Sequence, residues 1–76
     1  MQSPTEHALD IIREDAYLHN LAVRTMRQWP TEPETWAQLV WVMFRDHPDW
    51  TNPDGWGYFS IDWNTIFDIY ADVVAV

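Results

Sequence analysis

Between Ala8 and Trp29 the apolar positions recur at helical spacing. Ala8, Ile11, Ile12, Ala16, Leu18, Ala22, Val23, Met26 and Trp29 fall within a sector about 160° wide, while Asp10, Arg13, Glu14, Tyr17, Arg24 and Gln28 occupy the other side. Ahead of them, Ser3-Pro4-Thr5-Glu6 has the form of a capping box with proline at the first helical position, which predicts a helix over 4–28. Residues 13–16 carry little apolar weight, and an interruption there would make two helices of it.

A second stretch, Trp36 to Phe44, has Gln38 as its only polar residue and lies between Pro33 and Pro48. At helical period Trp36, Val40, Met43 and Phe44 share one face, Ala37 and Leu39 flank it, and Trp41 and Val42 point elsewhere. A helix apolar nearly all round has to be covered on several sides, so this one is expected to be the central element. Thr31 with Glu34 repeats the S/T-x-x-E cap, and Pro30 turns the chain just before it, which predicts a helix over 32–46 folded back along the first.

The pattern then changes. Asn52-Pro53-Asp54-Gly55 is a turn signal, with glycine where a positive φ is needed. It would close a hairpin between Trp50-Thr51 and Trp56 or simply form a loop. Its partial match to a calcium-binding loop fails where ligands are required, at Trp50 and Ile61. Trp50, Trp56, Tyr58, Phe59 and Trp63 crowd this segment, and are expected to act as a lid over the central helix or to grip a partner. Asp62 suits the cap of a last helix over 62–74, with Trp63, Ile66, Phe67, Ile69, Tyr70, Val73 and Val74 inward and Asn64, Asp68 and Asp72 outward. The expectation is one all-α domain over 1–76, a small bundle of three helices, or four if the first breaks, with an aromatic-rich loop. Its core should contain Ile12, Leu18, Ala22, Met26, Trp36, Val40, Phe44, Ile66, Phe67 and Tyr70.

Composition supports a core of that kind. The chain has 76 residues, 47% of them apolar and 16% aromatic, with six Trp. A domain this small buries only about 60–65% of its unfolded surface, and bulky rings partly compensate for that. There is no cysteine, hence neither a disulfide nor a thiolate metal site, which suits a reducing cytoplasm. The opening residues lack a basic region followed by an apolar run, and no stretch reaches membrane-spanning length.

Charge narrows the functional classes further. Net charge is −8, with no Lys, and Arg13, Arg24, Arg27 and Arg45 all precede residue 46. Asp46, Asp49, Asp54, Asp62, Asp68 and Asp72 follow with no Lys or Arg among them. A one-sign surface repels nucleic acid and anionic membrane and attracts basic protein surfaces. Candidate catalytic chemistry is sparse: two Ser, no glycine-rich phosphate loop, and no dense cluster of His with carboxylates. Asp15 and His19 stand four apart in the apolar sector and are expected to pair. His7, Asp10 and Glu14 line up on the solvent side, as an ordinary solvated face or as weak cation ligands.

These features predict a non-enzymatic interaction protein with no cofactor and no metal. Its expected partner is a protein with a basic, nucleic-acid-handling surface that it inhibits, reached through Asp46, Asp49, Asp54, Asp62, Asp68 and Asp72 with Trp50 and Trp56. In size and charge the chain resembles phage- and plasmid-encoded DNA mimics, anti-CRISPR and anti-restriction proteins among them, which would place it in a host cytoplasm. That resemblance is one of bulk character and is carried by no motif. The alternative is an accessory or assembly subunit, with a homodimer as one form, that uses the aromatic surface while its acidity serves solubility. A carbohydrate-binding module is a weaker third.

Overall fold

Ser3 opens the first helix as the expected cap, its hydroxyl oxygen accepting the Glu6 backbone N–H at 3.2 Å with Pro4 at the first helical position. The computed structural model describes residues 2–50 and 55–75, and among them it contains four α-helices and no strand. They are α1 (Pro4–Glu14), α2 (Ala16–Gln28), α3 (Pro33–Phe44) and α4 (Trp63–Ala75), with a 3-10 turn at Tyr58–Ser60 ahead of the last. The fold is therefore the all-α bundle that the periodicity predicts, in its four-helix form.

The break in the first helix falls on one residue. Asp15 has extended backbone geometry (φ −88°, ψ 114°), and its N–H still closes α1 on the Ile11 carbonyl. Its carboxylate meanwhile accepts the Leu18 N–H at 3.0 Å and so caps α2. One aspartate ends a helix and starts the next because its short side chain can satisfy the orphan donors that a break exposes.

The α3 boundaries differ from the expected 32–46. The Thr31 cap does not form; Glu32 occupies the cap position without a side-chain bond, and Pro33 provides the start. At the other end Arg45 closes the helix on the Trp41 carbonyl, three residues before Pro48. For α4, Asp62 is the cap: its carboxylate accepts the Thr65 backbone N–H and hydroxyl at 3.3 and 2.9 Å. The Asp62 N–H in turn donates to the Thr5 hydroxyl at 2.8 Å, joining the start of α4 to the start of α1. Of the expected turn at 52–55, residues 52–54 lie outside the described part of the chain. Gly55 has the positive φ, +73°, that the turn signal called for.

All ten residues expected in the core are buried, and Trp36 is at its centre. Its indole N–H donates to the Ala22 carbonyl at 3.0 Å, across the α2–α3 contact. Around it lie Trp63 and Phe67 edge-on and Tyr70 tilted, with ring centroids 5.7 to 6.2 Å away. The edge-on geometry is one that the ring quadrupole favours. The short link at 29–32 lays α3 back along α2, and His47 reaches Asp15 at the far end of the pair.

Expectations for α3 fail in one respect, since it is not covered all round. Trp36, Ala37, Val40 and Phe44 are buried and Trp41 is half-buried, but Leu39, Val42 and Met43 are about half exposed. Met43, expected on the core face, lies at its edge. The cause is size: α2 and α4 occupy one side of α3, and a chain this short has no further layer for the other. Val73 and Trp29, expected inward, are likewise exposed at the ends of α4 and α2.

Truncating Phe44, which is fully buried, to Ala should therefore cost about 3–5 kcal/mol. The exposed Val42→Gln should stay within about 0.5 kcal/mol of the wild type. Urea titrations of the two variants check the direction in which α3 faces, and a lower midpoint for Val42→Gln than for Phe44→Ala would mean that it is reversed.

Candidate functional site

The residues expected to bind a partner divide sharply by environment. Asp46, Asp49, Asp62, Asp68 and Asp72 are all exposed, and Asp54 lies outside the described residues. Asp68 and Asp72 stand one turn apart on the outer side of α4, behind the buried Trp63, Ile66, Phe67 and Tyr70. Among the described residues, the carboxylates within 4.0 Å of a basic side chain are Asp15 and Asp49, and both face His47. No arginine forms an ion pair among those residues. Close ion pairing with arginine therefore does not neutralise these carboxylates.

Trp50 is different, being only 7% exposed. It packs on Phe44 with ring centroids 4.8 Å apart, edge-on to Trp41, and is stacked by His7 at 5.5 Å. Trp56 is half-buried beside Trp50 and His7. These two indoles form the lid over the open end of α3, with Tyr58 and Trp63 continuing it. The Trp63 indole N–H donates to the Tyr58 carbonyl at 3.0 Å, which fixes the segment between the 3-10 turn and α4. The lid expectation thus holds for Trp50, Trp56, Tyr58 and Trp63. Phe59 is the exception, at 97% exposure.

The histidines join elements, and none has the partner that local spacing suggested. His19 is hydrogen-bonded through Nδ1 to the Tyr70 hydroxyl at 2.9 Å instead of to Asp15. Burial pushes the Tyr70 hydroxyl above its usual range, with Arg13 opposing. His7 donates from Nε2 to the Asp49 carbonyl at 3.2 Å while stacking on Trp50, and so turns away from Asp10 and Glu14. Asp15 takes His47, whose Nε2 lies 2.9 Å from its carboxylate.

The tautomer of His47 follows from its surroundings. The Asp49 backbone N–H donates to Nδ1 at 3.0 Å, so Nδ1 carries no proton and Nε2–H is the donor to Asp15. Both ring nitrogens are committed to holding the chain. His47 lies in a cleft of about 280 Å³ that Ile11, Glu14, Asp15 and Asp49 also line. Among the described residues no three His or carboxylate side chains converge to hold a metal ion. No helix among them is long and apolar enough to cross a membrane.

With the geometry in hand, comparison with known proteins adds no relative. No protein-family model, curated protein or solved structure shows a significant match to the chain.

Asp15 provides a test of the joint it forms. The Leu18 N–H, then the His47 hydrogen bond, hold its carboxyl below the usual carboxylate range, against a smaller opposing effect of burial. A folded value below the unfolded one, about 3.9, gives stability that is present above that pH and lost as pH falls through the folded value. Asp15→Asn keeps a capping oxygen but loses the charge facing His47. The variant should melt below the wild type at neutral pH, and the gap should close in acid. A gap independent of pH would show that the carboxylate charge contributes nothing.

Proposed function

We propose that this is a non-enzymatic acidic binding protein that occupies the basic surface of a nucleic-acid-handling protein and inhibits it. Phage- and plasmid-encoded inhibitors of bacterial immunity would act in this way. The observation that carries it is that Asp46, Asp49, Asp62, Asp68 and Asp72 are all exposed, with no arginine paired to them among the described residues. Surface charge left uncompensated destabilises a compact fold by self-repulsion, and its return is fast, selective encounter with the opposite sign.

Magnitudes limit how far the surface can imitate DNA. The long dimension is 35 Å, a length over which a duplex carries about twenty charges, against −8 for this chain. Asp68 and Asp72 are separated by a rise of about 6 Å, where phosphates of one strand succeed each other every 3.4 Å or so. Such a surface suits occupation of part of a Lys/Arg groove and not a copy of the duplex.

A second reading is favoured by Leu39, Val42 and Met43, which leave apolar surface exposed along α3. It would make the chain an accessory or assembly subunit whose association is insensitive to salt.

Capture from a host lysate at low and moderate salt, with the wild type and with Asp68→Lys/Asp72→Lys, separates the two. The acidic reading expects a partner that itself binds nucleic acid, released at moderate salt, lost with the double variant and returned to its nucleic acid. Folding of the variant should be unchanged or improved by a few tenths of a kcal/mol, because like charges near a helix C-terminus are relieved. Salt-insensitive capture that the double variant leaves intact overturns it.

A further inference from the structure

Phe59 is nearly fully exposed while every neighbouring aromatic is folded inward. It does no work for the lid. Its ring stands at 89° to that of Tyr58, with centroids 5.1 Å apart, and Tyr58 in turn stacks on Trp63 at 26° and 5.8 Å. The resulting corner opens into a cleft of about 420 Å³ between the first turn of α3, the 3-10 turn and the first turn of α4. Glu34 and Asn64 lie on its rim, and none of the four arginines lines it. The Tyr58 hydroxyl is pushed up by burial and by the Glu34 charge, which places that carboxylate within electrostatic reach of the ring.

Aromatic rings are negative on their faces, and an open face such as that of the exposed Phe59 attracts a cation, the more so beside a carboxylate. A flat guanidinium suits it better than an ammonium, since it stacks on a ring while its N–H fork pairs with the carboxylate. An apolar side chain would gain the rings but desolvate Glu34 without compensation. A sugar would stack on the rings but make no use of the negative charge.

We propose that the Tyr58–Phe59–Trp63 corner, with Glu34 at its rim, receives an arginine side chain of the protein partner. This rests on the basic-partner assignment, to which it adds a single anchoring side chain distinct from the acidic face of α4. Glu34 and Phe59 are therefore binding residues, and neither contributes to the core: both are exposed, and replacing them leaves the chain folded, with Glu34 giving up only its small interaction with the N-terminus of α3.

The test titrates the whole protein with acetyl-arginine amide and, separately, with acetyl-citrulline amide, its neutral isostere, at fixed ionic strength. NMR follows the Trp63 indole N–H and the Phe59 ring. The arginine amide should shift both saturably, and citrulline should bind about fivefold more weakly or not at all. Phe59→Ala and Glu34→Gln should each remove the response; Phe59→Ala should leave the melting temperature unchanged, and Glu34→Gln, which removes the first-turn acid of α3, should lower it by no more than a few degrees. Equal binding of citrulline overturns the assignment, as does a response that survives both variants. Against the captured partner, loss of binding with Asp68→Lys/Asp72→Lys but not with Phe59→Ala or Glu34→Gln overturns the arginine pocket alone and leaves the acidic reading standing.

Discussion

Complete burial of the Trp36 side chain is the constraint on which the rest of the structure depends. Its ring lies against α4 residues Trp63, Phe67 and Tyr70, and its single polar atom is satisfied by the Ala22 carbonyl of α2. An indole removed from water leaves an N–H that must find an acceptor, and the one available sets how α3 lies against α2. Once that contact is made, Val40 and Phe44 fall inward one and two turns later, and Leu39 and Val42 are left outside. The apolar edge of α3 is thus a consequence of how its centre is packed.

Local physics made much of this visible in the sequence. Ser3 and Asp62 cap helices because short polar side chains complete orphan N–H groups, and both positions are legible within a few residues of the chain. The break at Asp15 was foreshadowed by low apolar weight at 13–16. What could not be read is the choice of distant partners. Asp15 takes His47 and His19 takes Tyr70, contacts across 32 and 51 residues that helical spacing does not encode. Asp15 and His19 share a face only if the helix is continuous, and the carboxylate is instead used to divide it. Trp50 posed another difficulty: outside regular structure no periodicity tells an inward ring from an outward one. Within one crowded segment Trp50 is core and Phe59 is surface, and the cleft beside Phe59 is completed by Glu34 from the distant start of α3.

The same economy shapes the surface. Few polar groups are needed inside; Thr25 is the buried polar residue, and no buried side-chain nitrogen or oxygen lacks a hydrogen-bond partner among the described residues. With the core dominated by rings, almost all charge lies outside and almost none is compensated. Histidines, not arginines, join elements alongside the Thr5–Asp62 and Trp36–Ala22 bonds, at His7, His19 and His47. The arginines contribute no ion pair among the described residues, so close pairing does not offset the negative field beyond residue 46 there.

Hydrogen exchange at the Trp36 indole N–H tests the central claim most directly. If that ring holds three helices together, its indole proton is released only when the whole domain unfolds. Its exchange free energy should then equal the global unfolding free energy from urea titration, while the indole of half-buried Trp41 exchanges at a lower one. Exchange at Trp36 as easy as at Trp41 would contradict the account, because α3 could then leave the bundle without unfolding it.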